Sequence, residues 1–306
     1  MAFDRLFEPL RVAALAAGRL RTAVAYPLCS TSLRAAAQAS EAGYIEPVLV
    51  GPSARLAALM AQEGMRPGSM EIVDTPDDEL LAARAAAALA RDGAVRMLMK
   101  GSLHTDHFMS AVVARESGLR TGRRISHAFV MAVAAYPKLF ILTDAAVNIA
   151  PTLQEKADIA QNAIDLARAL GVERPKVAVL CATESVNPAM PATLDAAALS
   201  KMADRQQIRG GEIDGPLAFD NAISREAADQ KGIVSRVAGD ADILLTPDIE
   251  AGNMLYKELA WLAGAGTAGL VLGTRVPVLL TSRSDSMDAR VNSCAVAVLY
   301  ARALAG

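Results

Sequence analysis

TAVAYPLCSTSLRAAAQASEAGYIEPVLV, residues 22–50, contains two apolar runs of strand length separated by an alanine-rich stretch of helical spacing. Residues 22–26 read as a strand, 32–41 as a helix and 46–50 as a second strand, closed by Gly51-Pro52. A helix between two buried strands is the crossover that parallel pairing requires, so this stretch sets the fold class as α/β. The alternation continues outward. Residues 77–91 read as a helix whose acidic start suits the positive end of its dipole and which stops at Arg91-Asp92-Gly93. Residues 95–99 then form a strand delivering Lys100-Gly101.

Further along, 139–142 reads as a strand, 143–151 as a polar loop, 152–170 as a helix stopped by Gly171, and 176–180 as a strand. A loop with two prolines, 185–191, follows it. Strands are expected at 243–245 and 276–280, and a helix over 285–304 with Val291, Cys294, Ala295 and Val298 on one face. No repeat, low-complexity tract or Ser/Gly linker marks a boundary. Crossings near Tyr136-Pro137 and Ser284 divide the chain into a first domain, 1–137 with 285–306, and an inserted second domain, 138–284.

Composition narrows the function classes. The 306 residues are 53% hydrophobic, 21% charged and only 4% aromatic, enough apolar material for two cores packed largely by alanine. With a net charge of −2 and no basic run beyond the short cluster at 120–124, a nucleic-acid partner is not expected. No segment approaches the roughly 20 apolar residues of a membrane span. The N-terminal stretch lacks the uninterrupted apolar region of a secretory signal, and Cys29, Cys181 and Cys294 show no CxxC spacing, so a cytoplasmic setting is expected.

Polar residues collect after the expected strands, where open parallel sheets bind ligands. The sharpest cluster is Thr281-Ser282-Arg283-Ser284-Asp285, a hydroxyl and a guanidinium at the start of a long helix, where backbone N–H groups and an arginine fork can converge on an oxyanion. The same fragment also reads as a helix cap from Ser284 or Asp285 with a surface arginine. Lys100, Arg123, Arg124 and Ser126 could add to the same cleft, or be solvated charges. His104 and His107, three residues apart, and His127 invite a metal reading; with no cysteine near them and Asp106 pointing elsewhere the ligand count fails, so no metal is expected. GxSxG, GxGxxG and GxxxxGK[ST] are absent, and the cysteines sit in apolar settings, so covalent catalysis is not favoured.

Three stretches together resemble the phosphate acetyl/butyryltransferase family: Thr143 to Asn148 (TDAAVN), Asp214 to Ser224 (DGPLAFDNAIS) and Pro247 to Lys257 (PDIEAGNMLYK), completed by Ser282-Arg283 before a helix. Lys100-Gly101 with Thr105, and Asn187-Pro188 with Met190-Pro191, are closer to the butyryltransferase branch. The resemblance implies two α/β domains with parallel-rich sheets and an interdomain cleft, like the isocitrate and isopropylmalate dehydrogenases, the second domain forming a homodimer. It implies exchange of an acyl group between coenzyme A and phosphate by direct thiolate attack in a ternary complex, with coenzyme A a substrate and no cofactor. Matched by position, Ser282 is the serine that stabilises the tetrahedral intermediate and Arg283 the phosphate-binding arginine. Lys100, Thr105, Arg124, Ser126, Asp144 and Asn148 complete the expected substrate-binding set. Acetyltransferase members place the assisting aspartate seven positions after the serine, which here is Ala289; Asp288 is one residue earlier, about 100° around the helix, and Asp285 is its rival. A metal- and nicotinamide-dependent dehydrogenase on the same fold, and a weakly catalytic coenzyme A- or phosphate-binding module, are the competing readings.

Overall fold

The structure, a computed structural model, describes residues 4–66, 68–280 and 286–305. Ser282, Arg283, Ser284 and Asp285 lie outside the described residues. The chain forms two compact units, Pro9–Gly122 with the segment from Ala268 onward, and Arg123–Thr267 with the residues up to Glu8.

The first unit follows the alternation seen in the sequence. After α1 (Asp4–Ala17) come β1 (Leu20–Ala25), α2 (Ser30–Glu41), β2 (Ile45–Gly51), α3 (Ser53–Gln62), β3 (Glu71–Asp74), α4 (Glu79–Arg91), β4 (Met97–Lys100) and α5 (Thr105–Val113). Helix α4 shows why these elements pack. Asp78 caps it by accepting from the Leu81 amide, and Ala82, Ala83, Ala86, Ala87 and Ala90 form a buried face. Side chains this small let a helix lie close to a sheet with little rotamer entropy lost.

The second unit contains β5 (Ser126–Ala132), β6 (Phe140–Thr143), α6 (Leu153–Ala169), β7 (Lys176–Leu180), α7 (Pro191–Asp204), β8 (Glu212–Leu217), α8 (Phe219–Ile223), α9 (Arg225–Gln230), β9 (Ile243–Leu245) and α10 (Ile249–Trp261). Its strands run in the order β5-β6-β9-β7-β8. β6, β9, β7 and β8 are parallel, whereas β5 runs against β6 with Ala128 opposite Thr143. Met131, Phe140, Leu142, Leu180, Leu217 and Leu244 share one buried cluster.

The chain closes the first unit with β10 (Gly266–Leu272), β11 (Val278–Leu279) and α11 (Met287–Ala303). The strand order there is β3-β2-β1-β4-β11-β10, parallel from β3 through β11, with β10 antiparallel to β11.

The mixed α/β class agrees with the sequence reading. The units change over at 122–123 and 267–268, against the expected crossings near Tyr136-Pro137 and Ser284. The physical reason is strand pairing: β5 forms a hairpin with β6, and β10 pairs with β11. Helix α11 begins later than position 285, with Ser286 as its cap accepting from the Ala289 amide, so the capping role read for Ser284 or Asp285 belongs to Ser286.

Candidate active site

Because β6, β9 and β7 are parallel, their carboxyl ends share one edge of the second unit, and the reversed β5 brings its amino end to that same edge. Asp144, the first residue after β6, is buried there. Its Oδ1 accepts from the amides of Ala146 (2.9 Å) and Val147 (3.0 Å). Its Oδ2 accepts from the amides of His127 and Asn148, both at 3.3 Å, and from Asn148 Nδ2 at 2.5 Å. Five N–H donors on one buried carboxylate fix both the loop and the carboxylate and satisfy its oxygens through hydrogen bonds.

Asn148 carries this order outward. Its Nδ2 also donates to the Ile125 carbonyl at 2.9 Å, and its Oδ1 accepts from Arg124 Nε at 2.6 Å. Arg124 Nη1 lies 3.0 Å from Glu155 Oε1, and the Arg124 amide donates to Asp158 at 2.9 Å. Glu155 is itself part of a capping box with Thr152 at the start of α6. The backbone hydrogen bond from Thr152, with the Arg124 charge helping, lowers its carboxyl below the usual range. Arg124 thus has two fixed anchors, while half of its side chain remains exposed.

Ser126 is buried, its hydroxyl accepting from Asn162 Nδ2 at 3.0 Å. His127 is buried beside it, ring centroid 4.3 Å from Phe129, which stacks at 3.7 Å on Tyr256 of α10. Burial pushes the imidazole down to about 4, only partly opposed by the Asp144 charge, so it is neutral at physiological pH, and its Nδ1 has no hydrogen-bond partner among the described residues.

Helix α10 closes the knot from the other side. Asp248 caps it by accepting from the Ala251 amide at 2.8 Å. Thr246 Oγ1 donates to the Asp144 carbonyl at 2.9 Å and Asn253 Nδ2 to the Ala145 carbonyl at 3.1 Å. A Cβ on Gly252 would stand 2.4 Å from the Asp144 carbonyl oxygen, so this close approach requires glycine. The TDAAVN and PDIEAGN stretches are therefore two halves of one construction.

In the first unit, β4 delivers Lys100 and Thr105 opens α5. Gly101 lies so close to β1 that a Cβ would fall 2.3 Å from the Ala25 carbonyl oxygen. Ser102 Oγ donates to the Tyr26 carbonyl at 2.7 Å and accepts from the Leu28 amide at 3.0 Å. Asp288 is exposed in the first turn of α11, while Ala289 beside it is buried. Arg290, two residues on, is buried and donates to the Thr31 carbonyl in α2 at 3.2 Å.

The structure thus brings Arg124, Ser126, Asp144 and Asn148 together in the second unit and places Lys100, Thr105 and Asp288 in the first. Ser282, Arg283 and Asp285 fall outside the described residues. Sequence reasoning missed Asn162, Thr246 and Arg290 as positioning residues; the one local hint was a polar or charged side chain on an otherwise apolar helical face or strand end.

A family model described as phosphate acetyl/butaryl transferase matches residues 81–298. A phosphate acetyltransferase of Rhizobium meliloti is 54% identical over 299 residues, 98% of this chain and 93% of the relative. This chain belongs to the phosphate acetyl/butyryltransferase family.

The family includes relatives of both names: a phosphate butyryltransferase of Clostridium acetobutylicum is 44% identical over 92% of this chain and 93% of its own. A branched-chain phosphotransacylase from Enterococcus faecalis V583 has the same fold, with a TM-score of 0.82 and 31% identity over 92% of this chain and 99% of that one. The fold alone extends to a 4-hydroxythreonine-4-phosphate dehydrogenase from Klebsiella pneumoniae, TM-score 0.54 and 14% identity over 94% and 100%. As a phosphate acetyl/butyryltransferase family member the chain is an acyltransferase, and the dehydrogenase reading is set aside. The matched residues span both the Asp144 knot and the Ser282–Asp288 segment. No helix among the described residues is long and apolar enough to cross a membrane.

Proposed function

We propose that this acyltransferase interconverts acyl-CoA plus phosphate with acyl phosphate plus coenzyme A, by direct attack in a ternary complex and without a metal or redox cofactor in the reaction. The coenzyme A sulfur gives up its proton to an aspartate and forms a bond to the acyl carbonyl carbon. The tetrahedral intermediate then collapses, the bond from that carbon to the phosphate oxygen breaks, and inorganic phosphate leaves. Ser282 donates to the developing oxyanion, Arg283 and Arg124 hold phosphate, and Lys100 and Thr105 contribute binding from the first unit. Asp288 is the assigned base and Asp285 its rival. Such a reaction needs a poised base, fixed donors and two positioned substrates, all of which protein groups supply.

The observation that carries this reading is the Asp144-Asn148-Arg124 relay, a buried carboxylate fixing an amide that fixes a half-exposed guanidinium. Asp144, Asn148 and Ser126, being buried, act by positioning. The test is thioester formation from acyl phosphate and coenzyme A, followed at the thioester absorbance. Ser282→Ala should lower kcat by about 10²- to 10³-fold, the loss of one oxyanion donor, and Arg283→Ala should raise KM for the phosphate substrate. Asp288→Asn and Asp285→Asn, assayed separately, identify the base. Unchanged activity in Ser282→Ala would overturn the assignment. Released thiol measured across acyl-CoA chain lengths resolves acetyl from butyryl preference.

A homodimer is part of the proposal. Met254, Trp261 and the adjacent Leu262 are exposed at α10, a set of large apolar groups that a second copy would cover. Light scattering should report a dimer, and Trp261→Asp should shift it toward monomer. A cytoplasmic setting fits the three free cysteines, Cys29, Cys181 and Cys294.

A further inference from the structure

Glu79, His104 and His107 meet at the amino ends of α4 and α5, within the first unit. Glu79 Oε2 accepts from the His104 amide at 2.9 Å and lies 3.0 Å from His104 Nδ1 and 2.9 Å from His107 Nδ1. The two rings stand edge-on with centroids 5.6 Å apart. One ligand atom from each residue lies within 4.8 Å of the other two. The sequence supplied only the histidines; the carboxylate that completes the count is 25 residues before His104.

Such a triad can be a hydrogen-bonded fork, with both imidazoles donating to one carboxylate oxygen. The distances also suit a second occupant. Ligands about 2.0–2.1 Å from a tetrahedral ion stand roughly 3.3 Å apart, a few tenths of an ångström beyond the observed 2.9 and 3.0 Å. Small side-chain rotations would bring the three ligand atoms, all within 4.8 Å of one another, to that spacing. The His104 and His107 side chains are 75% and 52% exposed, so they can make those rotations, and a solvent molecule has access to a fourth position. Two imidazoles and a carboxylate form a borderline donor set, suited to zinc and its neighbours rather than to magnesium or calcium.

We propose that Glu79, His104 Nδ1 and His107 Nδ1 bind a divalent transition-metal ion of the zinc class, with water completing the coordination. The ion ties the start of α4 to the start of α5, beside Thr105, and takes no part in acyl transfer. The proposal stands independently of the acyl-transfer reading.

The test uses the untagged full-length protein stripped with a chelator, then titrated with zinc in competition with a chromophoric zinc indicator. A single zinc ion per chain is expected, with zinc raising Tm. Glu79→Gln should weaken binding by roughly tenfold or more, and His104→Ala combined with His107→Ala should abolish both the binding and the zinc-dependent rise in Tm. Cobalt substitution should give d–d bands without a thiolate charge-transfer band. Circular dichroism establishes that each variant folds, and Cys29→Ser should bind as the parent does. Absence of binding by the parent, binding unchanged in the folded double variant, or a thiolate band with cobalt would each overturn the proposal. A double variant that melts lower than the parent, where zinc leaves the parent's Tm unmoved, would show the fork alone and overturn it too.

Discussion

Gly252 and Asp144 meet backbone to backbone: the helix that follows β9 approaches the loop after β6 so closely that a methyl group on Gly252 would lie 2.4 Å from the Asp144 carbonyl oxygen and 2.7 Å from Thr246 Oγ1. Neither neighbour is the flexible end of a long side chain. Gly252→Ala should therefore cost about 1–3 kcal/mol of stability through overpacking and lower kcat/KM as the loop carrying Asn148 moves. Gly122→Ala, with nothing among the described residues within 4 Å of its added carbon, is the control and should be near neutral. Urea midpoints and thioester formation measured on both variants check the contrast; equal effects would count against a packed knot.

Asn148→Ala removes the acceptor that Arg124 Nε uses and two donors, one to Asp144 and one to the Ile125 carbonyl. Buried groups left unpaired cost about 1–3 kcal/mol. With Arg124 freed to turn, KM for phosphate should rise more than kcat falls. Steady-state kinetics with phosphate varied measure the split, and an unchanged KM would separate Arg124 from phosphate binding.

Acidification should probe His127. Burial holds its ring at about 4, with the Asp144 charge opposing, against 6.5 for an unperturbed histidine. Between those values the unfolded chain binds a proton that the fold refuses, so the stability is intact above pH 6.5 and falls as pH drops toward 4. The loss attributable to this one group is about 3 kcal/mol. Urea unfolding from pH 7 to 4 should show His127→Leu with a shallower decline than the parent. Parallel curves would mean that the ring takes up its proton in the folded state.

Thiol chemistry should distinguish the cysteines. Burial pushes Cys181 up to about 11, Lys156 opposing, and Cys294 up to about 12. Alkylation near neutral pH followed by mass spectrometry should leave both unmodified until denaturant is added, because the thiolate is the reactive form. Rapid labelling of Cys294 in the folded protein would contradict its placement in the α11 core face.

Local rules carried the fold a long way. The strands Lys176–Leu180 and Ile243–Leu245 and helices α4 and α6 stand where apolar runs, capping residues and glycine stops put them, within a residue or two. Strand β5 was not legible: no strand was expected over residues 126–132, and only pairing with β6 reveals both the strand and its backward direction. The site was legible as pieces. TDAAVN and PDIEAGN could each be singled out, but that Gly252 fits against Asp144 depends on the packing of a helix about a hundred residues downstream, as does the Thr246 bond to the same carbonyl. Asp288 was ambiguous for a simpler reason: one residue of uncertainty in where α11 starts rotates it from inside to outside, and the Ser286 cap leaves it exposed.

The carboxylate of Glu155 serves two masters, the first turn of α6 through Thr152 and the guanidinium of Arg124. Under the proposed role of Arg124 in holding phosphate, a helix boundary here also sets anion affinity. On that proposal, drift at position 152, which would ordinarily register only as a change in folding, becomes heritable variation in how firmly phosphate is held.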